Sequence, residues 1–189
     1  MRSLPRGFWA LLAVWTLFSL GNSSDVFLLL RANELGLSET LVILAYAIYN
    51  AIYALFSWPL GSLSDRIPRT VVLAGGLGVF ALVYLGFGVA SSTWIVWPLF
   101  ALYGLYVAAT EGVARAWVAD HVPTGATGTA YGIFAAATGG ALLVASIVAG
   151  VLWSQVGPAA PFVLGAVCAG AALPLTLVVS RLRPATLRA

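Results

Sequence analysis

Charged side chains are scarce in this chain. Only 8% of its 189 residues are charged, whereas a typical soluble domain has about a quarter. With 61% hydrophobic residues, the chain cannot cover a water-facing surface, which excludes an ordinary soluble protein. Lysine is absent, so all nine basic residues are arginines. We therefore expect an integral membrane protein whose main surroundings are the lipid bilayer.

Cysteine and histidine are almost absent as well. Cys168 is single, which excludes a disulfide framework and a cysteine-based metal site. The sequence contains no Ser/His/Asp set and no phosphate-cradling glycine loop, so we expect no enzyme, no cofactor and no metal. The net charge of +3 reflects membrane topology and predicts no nucleic-acid partner. His121 lies in a predicted loop, where we expect a solvated side chain.

Long apolar runs make up most of the sequence. A spanning helix needs about 20 apolar residues, and six such runs fit with short connections. Helices are expected because the bilayer core offers no water to backbone groups. We predict an all-α membrane protein with one six-helix transmembrane domain over residues 1–189. The predicted helices are 8–30, 41–60, 70–90, 94–117, 128–153 and 160–180.

The arginines are distributed asymmetrically about these helices. Only Arg31 falls on one side of a six-helix arrangement, so the positive-inside rule predicts a multi-pass protein of the inner or plasma membrane with both termini cytoplasmic. A cleaved signal peptide is the alternative reading of the first run, but apolar residues resume after Asp25. The arginines on the predicted cytoplasmic side are Arg2, Arg6, Arg66, Arg69, Arg115, Arg181, Arg183 and Arg188.

A carboxylate lies within the first predicted span. Placing Asp25 inside a membrane helix costs about 2.5–3.5 kcal/mol on insertion scales. The side chain should therefore face a wet cavity, find a cation or take up a proton. Asn22 lies three residues earlier on the same helical face. The alternative is that Asp25 is solvated at the membrane interface or paired with Arg31.

Polar side chains follow one face of the second predicted helix and recur on the fourth. Directed at lipid, these groups would be unpaired, so we expect them to line a substrate or proton cavity together with Asn22 and Asp25. Aromatic walls with hydrogen-bonding tips suit a neutral or cationic organic solute. The alternative is that the tyrosines only pack helices together. The residues at this helical spacing are Tyr46, Tyr49, Asn50 and Tyr53, and then Tyr103, Tyr106 and Thr110.

Small residues recur every four positions on the fifth predicted helix. Such a face permits close approach of a neighbouring helix. Its members are Gly128, Gly132, Ala136 and Gly140.

A charged hinge separates the second and third apolar runs, and its sequence is Gly61-Ser62-Leu63-Ser64-Asp65-Arg66-Ile67-Pro68-Arg69. It resembles the signature loop of the major facilitator superfamily, Gly-x-Leu-(Ala/Ser)-Asp-Arg-x-Gly-Arg-(Lys/Arg). Pro68 stands where that pattern has glycine, and Thr70 stands where it has a base. The resemblance extends over essentially the whole chain, yet it matches one six-helix half, somewhat more like the second half of bacterial solute and drug permeases.

The resemblance implies half of a major facilitator fold, built from two inverted three-helix repeats, and transport by alternating access. It also implies a cytoplasmic gate in which the hinge aspartate and arginines brace the outward-open state. We expect Asp65 to face the N-terminus of the fifth helix near residues 127–129, and Pro68 to fit the first turn of the third helix. Glu111 and Arg115 can pair at their spacing of four. The expected gate residues are Gly61, Asp65, Arg66, Arg69, Glu111 and Arg115.

Family members usually have twelve helices and hold solute between two halves. A lone half would turn its polar face toward lipid, whereas a parallel homodimer about a twofold axis along the membrane normal would rebuild the full architecture. We therefore expect a half-sized secondary transporter for a small organic solute, with protons as the candidate coupling ion. The alternative is a non-transporting subunit or truncated half that pairs with a separate six-helix partner. A fragment of a longer permease is equally compatible with the sequence.

Overall fold

The structure is a computed structural model that describes residues 4–179, except for the side chain of Thr124. Every regular element in this range is helical, and short connections join the helices. Short 3₁₀ turns, Thr93–Ile95 and Thr124–Ala126, precede the fifth and sixth α-helices. The α-helices of this range are α1 (Arg6–Ser19), α2 (Val26–Glu34), α3 (Glu39–Arg66), α4 (Arg69–Val89), α5 (Val96–Asp120), α6 (Thr127–Gln155) and α7 (Ala160–Val179).

Five helices of the described range are long and apolar enough to cross a membrane, namely α3, α4, α5 with its preceding turn, α6 and α7. α3 continues through Arg66, so most of the charged hinge is helical and only residues 67–68 connect α3 to α4. Pro68 is the N-cap residue directly before α4 rather than part of its first turn. Ser180, the predicted end of the last helix, lies outside the described residues.

The predicted first helix, 8–30, is divided in the structure. α1 has 14 residues and α2 has 9, so neither is long enough to span alone. The intervening residues 20–25, which we call the break, contain Gly, Asn, Ser and Asp, whose backbones and side chains favour turns over helix. The expectation of a continuous first helix is therefore wrong. A sixth span formed by α1 and α2 together, and the arrangement as two inverted repeats, stay predictions.

The break lies against α7 through backbone contact. A methyl group on Gly21 would meet the side chain of Cys168, with the sulfur 3.0 Å away. A methyl group on Gly165 would lie 2.6 Å from the carbonyl oxygen of Gly21 and would also meet the ring of Tyr84. Both positions therefore require a residue without a side chain.

α4 forms the centre of the bundle. It packs against α5 and α7, while α3 packs on α5 and α1 packs on α6 and α7. The buried face of α4 carries Phe80, Tyr84 and Phe87, one or two turns apart. The Phe80 ring stacks on Tyr84 with ring centroids 3.9 Å apart, and it meets Phe18 of α1 edge-on at 4.9 Å. This aromatic column positions α1 and α7 around the break.

Arg31 fixes α2 to the end of α4. Its Nε donates to the carbonyl oxygen of Phe87 (3.0 Å), and Nη2 donates to that of Ala90 (2.9 Å). Its Nη1 pairs with Glu34 at 2.6 Å. These bonds satisfy carbonyl groups that a helix end leaves without partners. The guanidinium of Arg31 is thus occupied by α4 and Glu34, while Asp25 contacts α5, as described below.

The opposite end of the bundle, which we call the hinge end, collects most of the described arginines. The start of α1 lies beside the end of α5, since a methyl group on Gly7 would touch His121. This grouping agrees with the predicted topology, and the cytoplasmic location of the termini stays a prediction. The arginines at this end are Arg6, Arg66, Arg69 and Arg115. The remaining arginines of the predicted cytoplasmic side, Arg2, Arg181, Arg183 and Arg188, lie outside the described residues.

His121 is buried, with only 3% of its surface exposed. Its Nδ1 lies 2.9 Å from the carbonyl oxygen of Trp117, and its ring meets the Trp117 ring edge-on. The expectation of a solvated side chain is wrong, because the start of α1 covers the end of α5.

The small-residue face of α6 is open. Methyl groups placed on Gly128, Gly132, Gly139 and Gly140 would meet no heavy atom of the described chain within 4 Å, and Ala136 is exposed. The helix that this face was expected to approach closely is therefore not among the described residues.

Candidate functional site

A cavity of about 440 Å³ opens at the break. Residues of α1, the break, α3, α5 and α6 form its wall. Most residues that the sequence predicts for a cavity take part, and so do two residues that it predicts for the gate. The predicted residues in this wall are Asn22, Asp25, Tyr49, Tyr103, Tyr106, Thr110, Glu111 and Arg115.

Two hydrogen bonds hold the break against one face of α5. The carboxylate of Asp25 accepts a hydrogen bond from the hydroxyl of Tyr103 at 2.7 Å. The side-chain amide of Asn22 donates to the hydroxyl of Tyr106 at 3.3 Å. Tyr103 and Tyr106 are three residues apart on α5, with ring centroids separated by 5.3 Å. The carboxylate is thus placed by a long-range contact rather than by its own helix.

Tyrosine rings make a continuous wall beside this carboxylate. The Tyr49 ring of α3 lies 5.2 Å from that of Tyr103 and 5.1 Å from that of Tyr46. Tyr46 and Asn50 are not part of the cavity wall itself. Asn50 is exposed and donates to the carbonyl oxygen of Tyr46 on its own helix at 2.8 Å. The polar face predicted for α3 is therefore only partly used by the cavity.

Glu111 connects α3 to the charged part of α5. It accepts a hydrogen bond from the hydroxyl of Tyr53 at 2.7 Å and pairs with Arg115 at 2.7 Å. Tyr131 of α6 donates to the carbonyl oxygen of Arg115 at 3.2 Å. The side chains of Glu111 and Arg115 are 44% and 66% exposed, so the pair adds little stability by itself. Its position at the open side of the cavity is what bears on function.

The residues predicted for the gate fall into two groups. At the hinge end, Arg69 pairs with Asp65 at 3.1 Å and with Asp120 at 2.8 Å, and Arg69 also donates to Ser64 at 3.4 Å. Arg66 is exposed. Glu111 and Arg115 form the second group, and both line the cavity at Asp25. The contact between Asp65 and the N-terminus of α6 stays a prediction.

Asp120 is a site residue that sequence reasoning missed. It is the last residue of α5, and it joins α5 to the start of α4 through Arg69. The sequence did contain a signal for this pair, because Asp120 follows the fourth apolar run and Arg69 precedes the third, which places both at the same membrane side. A second cavity of about 400 Å³ borders this cluster, and its wall includes Tyr53, Gly61, Asp65 and Arg69.

Other parts of the main cavity wall carry no sequence signal. Trp15 and Phe18 of α1 and Phe134 of α6 are apolar residues in apolar helices. Thr138 also lines the cavity, although its hydroxyl bonds to the carbonyl oxygen of Phe134 at 2.8 Å. Only the packing of the helices reveals that these residues share a wall.

A cavity of about 770 Å³ lies at the end opposite the hinge, between α2 and the α6–α7 turn. Its wall is mostly apolar, and Arg31 is its charged residue. Because the Arg31 guanidinium is already bonded to α4 and Glu34, we do not place the site there.

Comparisons with known proteins agree with this architecture. The family model of the Major Facilitator Superfamily matches residues 7–189. The chain is 37% identical over 175 residues to an uncharacterized MFS-type transporter of Methanocaldococcus jannaschii. The matched region covers 89% of this chain and 44% of that protein. It is also 42% identical over 59 residues to the inner membrane transport protein YajR of Escherichia coli. This matched region covers 31% of this chain and 13% of that protein.

The chain spans less than half the length of the relatives that it matches. Both relatives are transport proteins, which confirms the expectation that the chain is not an enzyme. Together, the match over nearly the whole chain and the apolar helices identify a multi-pass membrane protein. The chain belongs to the Major Facilitator Superfamily.

Proposed function

We propose that this chain is a half-sized secondary transporter that moves a small organic solute by alternating access. The observation that carries the proposal is a polar cavity, with Asp25 in its wall, that opens on a side of the bundle left uncovered by the described residues. A closed structural bundle has no use for such a cavity, whereas a transporter needs one.

The exposed charges in the cavity wall support this reading. Glu111 lies nine residues before Asp120, the end of α5, which places it ~13 Å along the helix axis from that end. An ionised side chain deep in the hydrocarbon costs about 2.5–3.5 kcal/mol. The Glu111–Arg115 pair must therefore face either a water-filled space or another protein surface.

A second copy of the chain supplies that surface in our proposal. α3 and α6 flank the cavity, and few residues of their apolar central stretches are buried. The open small-residue face of α6 allows a neighbouring helix to approach closely. A parallel pair about a twofold axis along the membrane normal places the two cavities face to face.

Each part of the site then has a role. Asp25 holds the coupling proton or the positive charge of the solute, and the Tyr49 and Tyr103 rings form the aromatic wall of the pathway. Arg69, with Asp65 and Asp120, braces the hinge end and releases when that end opens. The aromatic rings in the wall, together with Asp25 as an acid that pairs with no described arginine, favour neutral or cationic solutes.

Solute-driven proton movement tests the function. Protein reconstituted into vesicles containing a pH-sensitive dye is exposed to neutral, cationic and anionic organic solutes. We expect neutral or cationic compounds to change the internal pH, with no change in protein-free vesicles. If chemical cross-linking in membranes yields only pairs with a different membrane protein and no solute moves protons, the subunit alternative replaces the transporter.

Loss of the hinge cluster should open the hinge end. In a Cys168→Ala background, a cysteine introduced by Ser57→Cys in the second cavity reports access to a water-soluble thiol reagent. We expect Asp65→Ala and Asp120→Ala to raise its labelling rate, because each removes one partner of Arg69. Since exposed ion pairs contribute about 0.2–1 kcal/mol, the increase should not exceed roughly fivefold.

Glu34→Gln is the matched control for this experiment. It breaks an arginine ion pair at the opposite end of the bundle, so labelling at residue 57 should not change. Equal labelling rates in Asp65→Ala, Asp120→Ala and the parent protein would show that Arg69 does not brace a gate.

A further inference from the structure

We propose that the break between α1 and α2 binds a monovalent cation of the sodium type through oxygen atoms of Asn22, Ser23 and Asp25. The proposed transporter function is the basis for giving this ion a coupling role, since the inference names the ion that would drive transport. Binding of the ion can be measured without any transport.

Two buried oxygen atoms of the break have no hydrogen-bond partner within residues 4–179. They are Oδ1 of Asn22 and Oγ of Ser23. Ser23 is only 4% exposed, and the neighbouring hydroxyl of Tyr84 is close enough to interact with it but lacks the geometry of a hydrogen bond. Unpaired buried polar atoms are costly, and a bound cation would satisfy both.

Contacts with tyrosines bring these oxygen atoms toward the carboxylate. Asn22 is tied to Tyr106 and Asp25 to Tyr103, which are neighbours on one face of α5. Tyr84 interacts with Ser23 and with Tyr103. The three oxygen-bearing side chains therefore surround the same group of rings.

The interrupted helix contributes backbone oxygen atoms as well. Across the described residues, the carbonyl groups of Asn22 and Ser23 accept no backbone hydrogen bond, because the helix is not continued there. α1 ends at Ser19, so the partial negative charge of its C-terminus faces the break. Discontinuous membrane helices coordinate sodium ions or protons with such carbonyl groups and half-helix ends.

The charge of the site favours a monovalent ion. Asp25 is the one carboxylate of the break, and the nearby acid of the cavity wall, Glu111, is already bonded to Tyr53 and Arg115. A single negative charge with neutral oxygen ligands balances one positive charge, whereas calcium sites gather more ligands and usually more carboxylates. The absence of sulfur and imidazole from the set also disfavours transition metals.

Binding of radioactive ²²Na⁺ to the purified protein in lipid nanodiscs tests the proposal. We expect saturable binding that unlabelled Na⁺ displaces and that K⁺ and choline displace poorly. Asp25→Asn should abolish binding, and Ser23→Ala should weaken it. Tyr103→Phe should weaken it by roughly ten- to a hundredfold, because it removes the hydrogen bond that orients a ligating carboxylate.

Two matched variants control for general effects of these substitutions. Tyr131→Phe and Ser154→Ala remove hydroxyl groups that lie outside the break and bond elsewhere, so binding should not change. A single symmetric peak in size-exclusion chromatography, at the same elution volume as the parent protein, serves as the check that each variant is folded. No saturable binding by the folded protein, binding that survives Asp25→Asn, or equal displacement by choline would each overturn the site.

Transport measurements separate this inference from the proposed function. Full proton-driven solute uptake in choline buffer, together with no Na⁺ binding, overturns the cation site and leaves the transporter standing. Na⁺ binding that depends on Asp25, together with no uptake of any tested solute under either a Na⁺ gradient or a pH gradient, overturns the transporter and keeps the cation site.

Discussion

Gradient-driven solute uptake falls by roughly ten- to a hundredfold in the Asp25→Asn variant, because the substitution removes the charge that would bind the coupling ion, and interactions with a charged group contribute about 1.5–3 kcal/mol. Asparagine has nearly the same shape as aspartate and can still accept a hydrogen bond from Tyr103. It carries no charge and takes up no proton, so it cannot respond to an ion gradient. The measurement is the initial uptake rate, in vesicles with an imposed gradient, of the solute identified by the dye assay.

Glu39→Gln is the matched control for the loss of one carboxylate. Glu39 is exposed at the start of α3 and does not line the cavity at Asp25, so uptake should keep its parent rate. Coupled uptake that is unchanged in Asp25→Asn would remove Asp25 from the coupling mechanism, whatever the control shows.

Thermal stability falls markedly in the Gly165→Ala variant. The added methyl group would lie against the carbonyl oxygen of Gly21 and the ring of Tyr84, both in the packed centre of the bundle. Forcing extra atoms into a packed core costs about 1–3 kcal/mol. For a chain of this length each kcal/mol corresponds to roughly 2–4 °C in Tm. The loss of folded protein on heating in detergent, followed by size-exclusion chromatography, measures the shift.

Gly170→Ala on the same helix isolates the steric cause. No heavy atom of the described chain lies within 4 Å of a methyl group at this position. Both variants replace a helical glycine by alanine, which favours helix by about 1 kcal/mol, so Gly170→Ala should be as stable as the parent or more so. If the Gly165→Ala and Gly170→Ala proteins had the same melting temperature, the break would not depend on close contact with α7.

Hydropathy predicted most of the fold, because each later span is a single apolar run with polar ends. The boundaries of α4 and α7 lie within one residue of the prediction over the described range. The division of the first span was missed because its apolar residues resume after the break. Gly21 looks like any other membrane glycine in the sequence, and only its contact with Gly165 shows why the chain needs it there.

The candidate site was predicted less completely than the fold. Tyr103 and Tyr106 share a face with Thr110 at helical spacing, which the sequence displays directly. The partner of a charged residue depends on tertiary contacts, so neither the bond from Tyr103 to Asp25 nor the pair of Arg69 with Asp120 follows from spacing. Asn50 shows the converse. It lies on the helical face that the sequence predicts for the cavity, yet its side-chain amide donates to a backbone carbonyl of its own helix.

The mass of the purified chain in lipid nanodiscs tests the account most directly, because the proposed solute pathway requires a second copy of the chain to cover the open cavity. Native mass spectrometry should find two chains of 19.7 kDa per particle. In addition, Gly140→Leu on the open face of α6 should shift the population toward single chains, since no described residue of the same chain occupies that space. A single chain per disc at every protein concentration, with Glu111 and Arg115 facing lipid, would contradict the proposed homodimer.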